Sequence, residues 1–168
     1  MNLAEQQRVS VIVVIVSGIL LLSSPLAVAD QNKAILARTL WFGFRCSAFA
    51  QISGERTEQE RLFQVGLKAG HAFLEALRGG QVSDDELNNE VPLAVTLLLW
   101  GPTTDFMLGR IYESALNAAL DDVVRTKNGL AVDTDDQLVK DEKDKRDQKD
   151  KKLIAHTHFL QSSCALIQ

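Results

Sequence analysis

The residues with the most chemical capacity lie together in WGPTTDFMLGRIYESALN, residues 100–117. Asp105, Arg110, Tyr112, Glu113 and Asn117 are threaded there among Phe106, Met107, Leu108 and Ile111. Two carboxylates beside a guanidinium could divide general-acid and general-base work, which would make Asp105 and Glu113 near Arg110 a hydrolase-type centre. The same residue types also suit a contact surface, because arginines and aromatics lead in interface energetics. A helix wheel sorts the stretch. Met107, Leu108, Ile111, Ala115, Ala118 and Ala119 share a packing face. Arg110 and Glu113 stand three apart and can pair, and Asn117 and Asp121 continue the Glu113 row. Asp105 falls in the first turn, where free amides and the helix dipole favour a carboxylate. Gly109 leaves a gap beside Arg110 through which another helix can approach, at Gly66 and Gly70. The row is read first as a polar seam with Arg110 and Glu113 paired. Next it is a ligand or partner site made of Asp105, Arg110, Tyr112, Glu113 and Asn117, and last an acid–base centre.

Other reactive arrangements are weaker. His156 and His158 are two apart, so on a helix they point in different directions, and no acidic or cysteine cluster completes a set of ligands. No metal and no cofactor is expected. His71 sits on a polar flank of its helix. Nucleophile elbows, phosphate loops and dinucleotide fingerprints are missing from the sequence. This balance favours a binding protein over an enzyme.

What must position these residues begins with the export of the chain. MNLAEQQR, VSVIVVIVSGILLL and SSPLAVAD read in order as a polar start, an apolar core of about 14 residues and a small-x-small cleavage site. A signal peptide over residues 1–29 is expected, leaving an exported domain over 30–168. The alternative is an uncleaved anchor, since residues 9–29 form an uncharged run of about 21 residues, nearly enough to span a bilayer. The body of the protein then lies outside the cytoplasm, periplasmic or secreted, or held at the inner membrane. A net charge of −4 shows no basic excess, so nucleic acid is not an expected partner. The mature chain holds two cysteines, Cys46 and Cys164, and an oxidising compartment would pair them.

The elements read as helices throughout. Residues 32–53 form an apolar central helix stopped by Gly54. Residues 57–78 start with a Thr57/Glu60 capping box and end at Gly79 and Gly80. Ser83 and Glu86 make a second box. VPLAVTLLLW, with Pro92 suited to a first helical turn, is read as a buried helix, with a buried strand as the alternative. Thr103 or Thr104 caps the helix carrying the polar row, which Asn128 and Gly129 close. AVDTDDQ reads as a loop, and residues 133–152 form a charged surface segment. VKDEKDKRDQKDKK has charges alternating at helical spacing, Asp147 with Lys151 among them, and leads into a last helix docked from Leu153 onward. The expected fold is all-α: a compact bundle of four to six helices with one disulfide. Its core is Trp41, Phe44, Phe63, Phe73, Leu98, Trp100, Phe106, Ile111 and Phe159. The expected function is that of a small exported binding or accessory protein acting on a protein partner, such as an inhibitor, immunity or envelope accessory protein. A membrane is a partner only if the signal segment stays uncleaved.

Overall fold

The computed structural model describes residues 33–130 and 140–168, and the side chains of 33–127 and 144–168. The expected signal segment and the AVDTDDQ loop lie outside the described residues. Among those residues the chain is all-α, with six helices in the order α1 (Lys33–Ser53), α2 (Arg56–Arg78), α3 (Asp84–Asn89), α4 (Leu93–Thr96), α5 (Thr104–Leu130) and α6 (Lys140–Gln161), and then a 3₁₀ turn at Cys164–Leu166. No helix of the described residues is long and apolar enough to cross a membrane.

The central helix α1 is buried on most sides, as its composition requires. One side joins Leu40 and Phe44 to Phe73, Leu74, Val95, Leu108 and Ile111. The other joins Cys46, Phe49 and Ala50 to Leu62, Val123, Ile154, Ala155 and Phe159. Helices α1 and α2 meet backbone to backbone at Gly43 and Gly66. A Cβ on Gly43 would stand 2.9 Å from the Gly66 Cα, and one on Gly66 would meet the Phe44 ring at 2.6 Å. Ser47, fully buried in the same crossing, donates its hydroxyl to the Gln59 carbonyl at 2.8 Å. The crossing therefore tolerates no larger residue and leaves no polar group unpaired in the seam.

The cysteines form the expected bridge. Cys46 and Cys164 are disulfide-bonded with Cα atoms 5.5 Å apart, tying the end of the chain to the middle of α1. Ser163 turns the chain with φ 54° so that Cys164 can reach inward. Arg61 on α2 secures the tail around the bridge, donating to the Ile167 carbonyl at 2.5 Å and to the Cys164 carbonyl at 3.4 Å. Glu58 orients Arg61 at 2.8 Å, and that hydrogen bond holds its carboxyl below the usual carboxylate range.

Several local expectations change. The Thr57/Glu60 box is absent: α2 starts at Arg56 with Glu55 at the cap and no side-chain cap bond, while the Glu60 carboxylate accepts from Gln64 at 2.9 Å. The Ser83/Glu86 box is present in both directions, and it lowers the Glu86 pKa. VPLAVTLLLW is not a buried helix. Only Leu93–Thr96 is helical, and Leu93, Leu97 and Trp100 are 70%, 63% and 66% exposed. Trp100 and Phe106 therefore drop out of the core, while Phe44, Phe73, Ile111 and Phe159 lie fully inside it. Trp41, Phe63 and Leu98 are half-buried against it. Asn128 and Gly129 do not stop α5, which runs on to Leu130. In α6 it is Ile154, Ala155 and Phe159 that dock, with Leu153 exposed. Asp147 pairs with Lys151 as the charge pattern predicts, at 2.9 Å, and also with Lys127 on α5.

Gly109 opens onto empty space with nothing within 4 Å of a Cβ, so it admits no helix. Gly70 is covered by the Leu108 and Leu40 side chains. The two sites give opposite expectations for alanine. Gly66→Ala overpacks a closed crossing and is expected to cost about 1–3 kcal/mol. Gly109→Ala is expected to gain about 0.5–1 kcal/mol through helix propensity alone. Urea unfolding of both variants checks the pair. Breaking the bridge with Cys46→Ala and Cys164→Ala together releases a loop of 118 residues and is expected to cost about 3–5 kcal/mol by the same measurement.

Candidate functional site

Helix α5 restarts the chain after the Gly101–Pro102 break. The Thr103 hydroxyl caps it by accepting from the Phe106 amide at 3.2 Å. Met107, Leu108, Ile111, Ala115 and Ala119 are buried against the core, so the packing face is the one the wheel gives. With that face fixed, the five candidate residues have no freedom to choose their sides.

They do not converge. Arg110 turns back toward the start of the helix. Its guanidinium lies over the Trp100 ring at 3.9 Å from the centroid and near the Phe106 ring at 5.8 Å, and Nη1 donates to the Trp100 carbonyl at 3.1 Å. The expected Arg110–Glu113 ion pair is not formed. The reason is local. The chain break leaves the Trp100 carbonyl without a helical partner and sets an exposed indole beside it, and together they offer Arg110 a hydrogen bond and a cation–π contact. Asp105 is 87% exposed at its side chain and has His71 of α2 at 3.7 Å. Glu113 and Asn117 are exposed, with no hydrogen bond or ion pair among the described residues. Tyr112 faces the opposite way. Its ring meets Phe44 and Phe63 edge-on, both at 5.2 Å, and its hydroxyl reaches Gln51 at 3.4 Å. Burial pushes the Tyr112 pKa up, so the hydroxyl stays protonated and serves as a packing group.

The row is thus split. Arg110, Glu113 and Asn117 form an outward strip on α5, bordered by Trp100 and Phe106. Asp105 lies at its end, and Tyr112 packs half-buried against the core. Asp105 and Glu113 are eight residues apart, about 12 Å of helix rise, which places the two carboxylates on separate turns.

A second polar group escaped the sequence reading. Arg45 on α1 pairs with Asp122 on α5 and lies over the Phe49 ring at 5.6 Å. His158 stacks on Phe49 at 5.3 Å and shares a hydrogen bond with Thr126 at 3.0 Å. The signal was available, since Asp122 and Thr126 are one turn apart on a helix with a polar flank. What it lacked was the partner helix. His156 binds Glu55 at 2.9 Å, so the two neighbouring histidines go to different elements. Asp122 is engaged by Arg45, and His158 has Thr126 for a partner. The cluster ties α1, α5 and α6 together and supplies no carboxylate to a histidine–hydroxyl pair.

No protein family matches the chain, and neither do the curated proteins or the solved structures with which it was compared. The candidate strip stands on its geometry.

Arg110→Ala removes a surface stack and is expected to lower stability by about 0.5–1 kcal/mol. Ile111→Ala, next to it and fully buried, is expected to cost about 2–5 kcal/mol. Chemical denaturation of the two variants tests whether Arg110 is a surface group or a structural strut: equal losses would make it a strut.

Proposed function

We propose that the chain is an exported, non-enzymatic binding or accessory protein of a bacterial envelope, cleaved after Ala29 and acting in the periplasm on a protein partner. The contact surface is the outward strip of α5: Arg110, Glu113 and Asn117, with Asp105 at its end. The observation that carries the reading is Arg110. Its guanidinium is already oriented by the Trp100 ring and carbonyl, so little side-chain freedom is left to lose on binding. An arginine on the helix with the tryptophan of the preceding loop stacked beside it forms the kind of anchor that dominates protein interfaces. Glu113 and Asn117 flank it with polar groups free to meet a partner. The disulfide and the close-packed crossing give the strip a stiff support suited to the envelope, where unfolded segments meet proteases.

The hydrolase reading gains nothing from this geometry. Its two carboxylates stand on separate turns, and the arginine between them is engaged by Trp100.

Two measurements test the proposal. N-terminal sequencing of the exported protein is expected to read Asp-Gln-Asn; retention of Met1 with resistance to a carbonate wash would establish the anchored form instead. In pull-downs from envelope extracts, Arg110→Ala and Glu113→Gln are expected to weaken capture of the partner about tenfold or more, with the circular dichroism spectrum unchanged. A turnover activity lost in Glu113→Gln while partner capture persists would overturn the binding reading.

A further inference from the structure

The outward side of α5 carries more than polar groups. Phe106, Glu113 and Leu120 stand seven residues apart, and the drift per heptad leaves them within about 40° of one another around the helix. The buried Ile111, Ala115 and Ala119 take the opposite side. Phe106 and Leu120 are 46% and 43% exposed, and Glu113 between them is exposed too. Gly109 lies one turn before Glu113, and a Cβ there would meet nothing within 4 Å, so the ridge has a notch. Glycine in a helix interior costs about 0.5–1 kcal/mol against alanine. At Gly43 and Gly66 the close approach of two helices offsets that cost. At Gly109 no contact among the described residues does.

A line of this spacing suits the side of another helix. Helices that cross at about 20° meet at residues seven apart, and a polar position within the apolar line fixes register and partner. Charge decides which helix fits. From Asp84 to Asp122 the chain carries eight carboxylates and one cation, Arg110. Arg110 is also the only charged residue one turn from Glu113, and its guanidinium is engaged by Trp100. A carboxylate covered by an apolar or acidic partner would lose its water without compensation, at a cost of several kcal/mol. The same argument rejects a second copy of this chain. In the antiparallel register that sets Phe106 of each copy on Leu120 of the other, Glu113 faces Glu113, and a parallel pair in register repeats the clash of like charges.

We infer that α5 docks an amphipathic helix of its partner, whose apolar stripe carries a lysine or arginine at its middle. The cation pairs with Glu113, the apolar residues on either side of it cover Phe106 and Leu120, and a neighbouring side chain fills the notch at Gly109. The inference rests on the proposed protein contact at this strip and names the chemistry of the partner there. Apolar anchors at helical spacing supply the area, and one charge-assisted hydrogen bond sets the register. Asn117, one turn after Glu113 and exposed, adds a donor and an acceptor at the edge of the same contact.

The probe is a displayed library of helices three heptads long, with leucines along the stripe and its middle position open to every residue. It is selected on the protein purified from the envelope of cells that export it. Lysine and arginine are expected at the open position. On Glu113→Lys the selection is expected to turn to aspartate and glutamate. Measured singly, the lysine helix is expected to bind wild type at least about tenfold more tightly than the glutamate helix, with the order reversed on Glu113→Lys. Gly109→Gln is expected to raise thermal stability through helix propensity and yet weaken binding about tenfold, a pair of signs that a folding defect cannot produce. Leu120→Ser is expected to weaken every helix, while Leu160→Ser, exposed on α6, changes nothing. The inference is overturned if no helix is selected, if the selection ignores charge at the open position, if the preference survives Glu113→Lys, or if Gly109→Gln binds like wild type. Envelope pull-downs separate it from the reading on which it rests. A partner lost with Arg110→Ala but kept by Glu113→Lys and Gly109→Gln retains the contact surface and rejects the helix. Selection as expected, with no envelope partner sensitive to Arg110→Ala, supports the helix and rejects that reading.

Discussion

Everything in this domain is arranged around the contact of α1 with α2 at Gly43 and Gly66. With no side chain at either position, the backbones approach until a Cβ on one would stand 2.9 Å from the other's Cα. That approach brings the Ser47 hydroxyl onto the Gln59 carbonyl and places the Phe44 ring beside Gly66, where it stacks on Phe63 at 5.6 Å and meets Tyr112 at 5.2 Å. It also fixes where α5 can lie, since Leu108 covers Gly70 of the same α2 face. The orientation of α5 then decides which of its polar residues face out. Dispersion contacts fall off steeply with separation, so a crossing loosened by even one methyl would weaken all of these contacts together.

The two ends of α1 are treated differently. Toward its C-terminal half the chain is fastened repeatedly: by the Cys46–Cys164 bridge, by Arg61 on the tail carbonyls, and by Arg45 with Asp122 across to α5. A covalent bond restricts the unfolded chain, while the arginine contacts order the few residues that the bond alone would leave loose. Toward its N-terminal half α1 packs on α2 and α5 through Leu40, and α3 and α4 are added there, held by Arg38 on Glu90, by the Lys33 backbone on Glu86 and by the buried Val91 and Val95. Leu93, Leu97 and Trp100 are exposed there, as Leu153, Leu160 and Leu166 are at the other end.

The range of each interaction decides whether it can be read from the sequence. Gly54, the Ser83/Glu86 box, the packing face of α5 and the cysteine pair depend on near neighbours or on compartment chemistry, and each was legible. The Thr57/Glu60 box failed although its spacing is right, because Glu55 occupies the cap two residues earlier and Glu60 then turns to Gln64. LAVTLLLW failed for a different reason. The run's one polar residue, Thr96, is half-buried and turns its hydroxyl to the Pro92 carbonyl, so periodicity could not tell the buried Val95 from the exposed Leu93 and Leu97. Gly43 was hidden by the same kind of silence. A glycine in a uniformly apolar helix looks like any small residue until its partner helix is in place, and Gly109, more conspicuous beside an arginine, faces only solvent.

The polar row of α5 shows how a true local rule can lose to a longer contact. Arg110 and Glu113 have the spacing for an ion pair, but an exposed pair of that kind contributes only a few tenths of a kcal/mol. The break at Gly101 and Pro102 offers Arg110 an unpaired carbonyl and a ring face ten residues back, and the sum of a charge-assisted hydrogen bond and a cation–π contact is larger. Tyr112 is separated from Arg110 by about 200° on the wheel, so the rotation that sends the arginine outward sends the tyrosine into the Phe44–Phe63 cluster. One choice of packing face therefore divides the five candidates. It also frees Glu113, since a carboxylate whose natural partner has been taken by an indole is left with its hydrogen-bonding capacity open to whatever approaches α5 from outside.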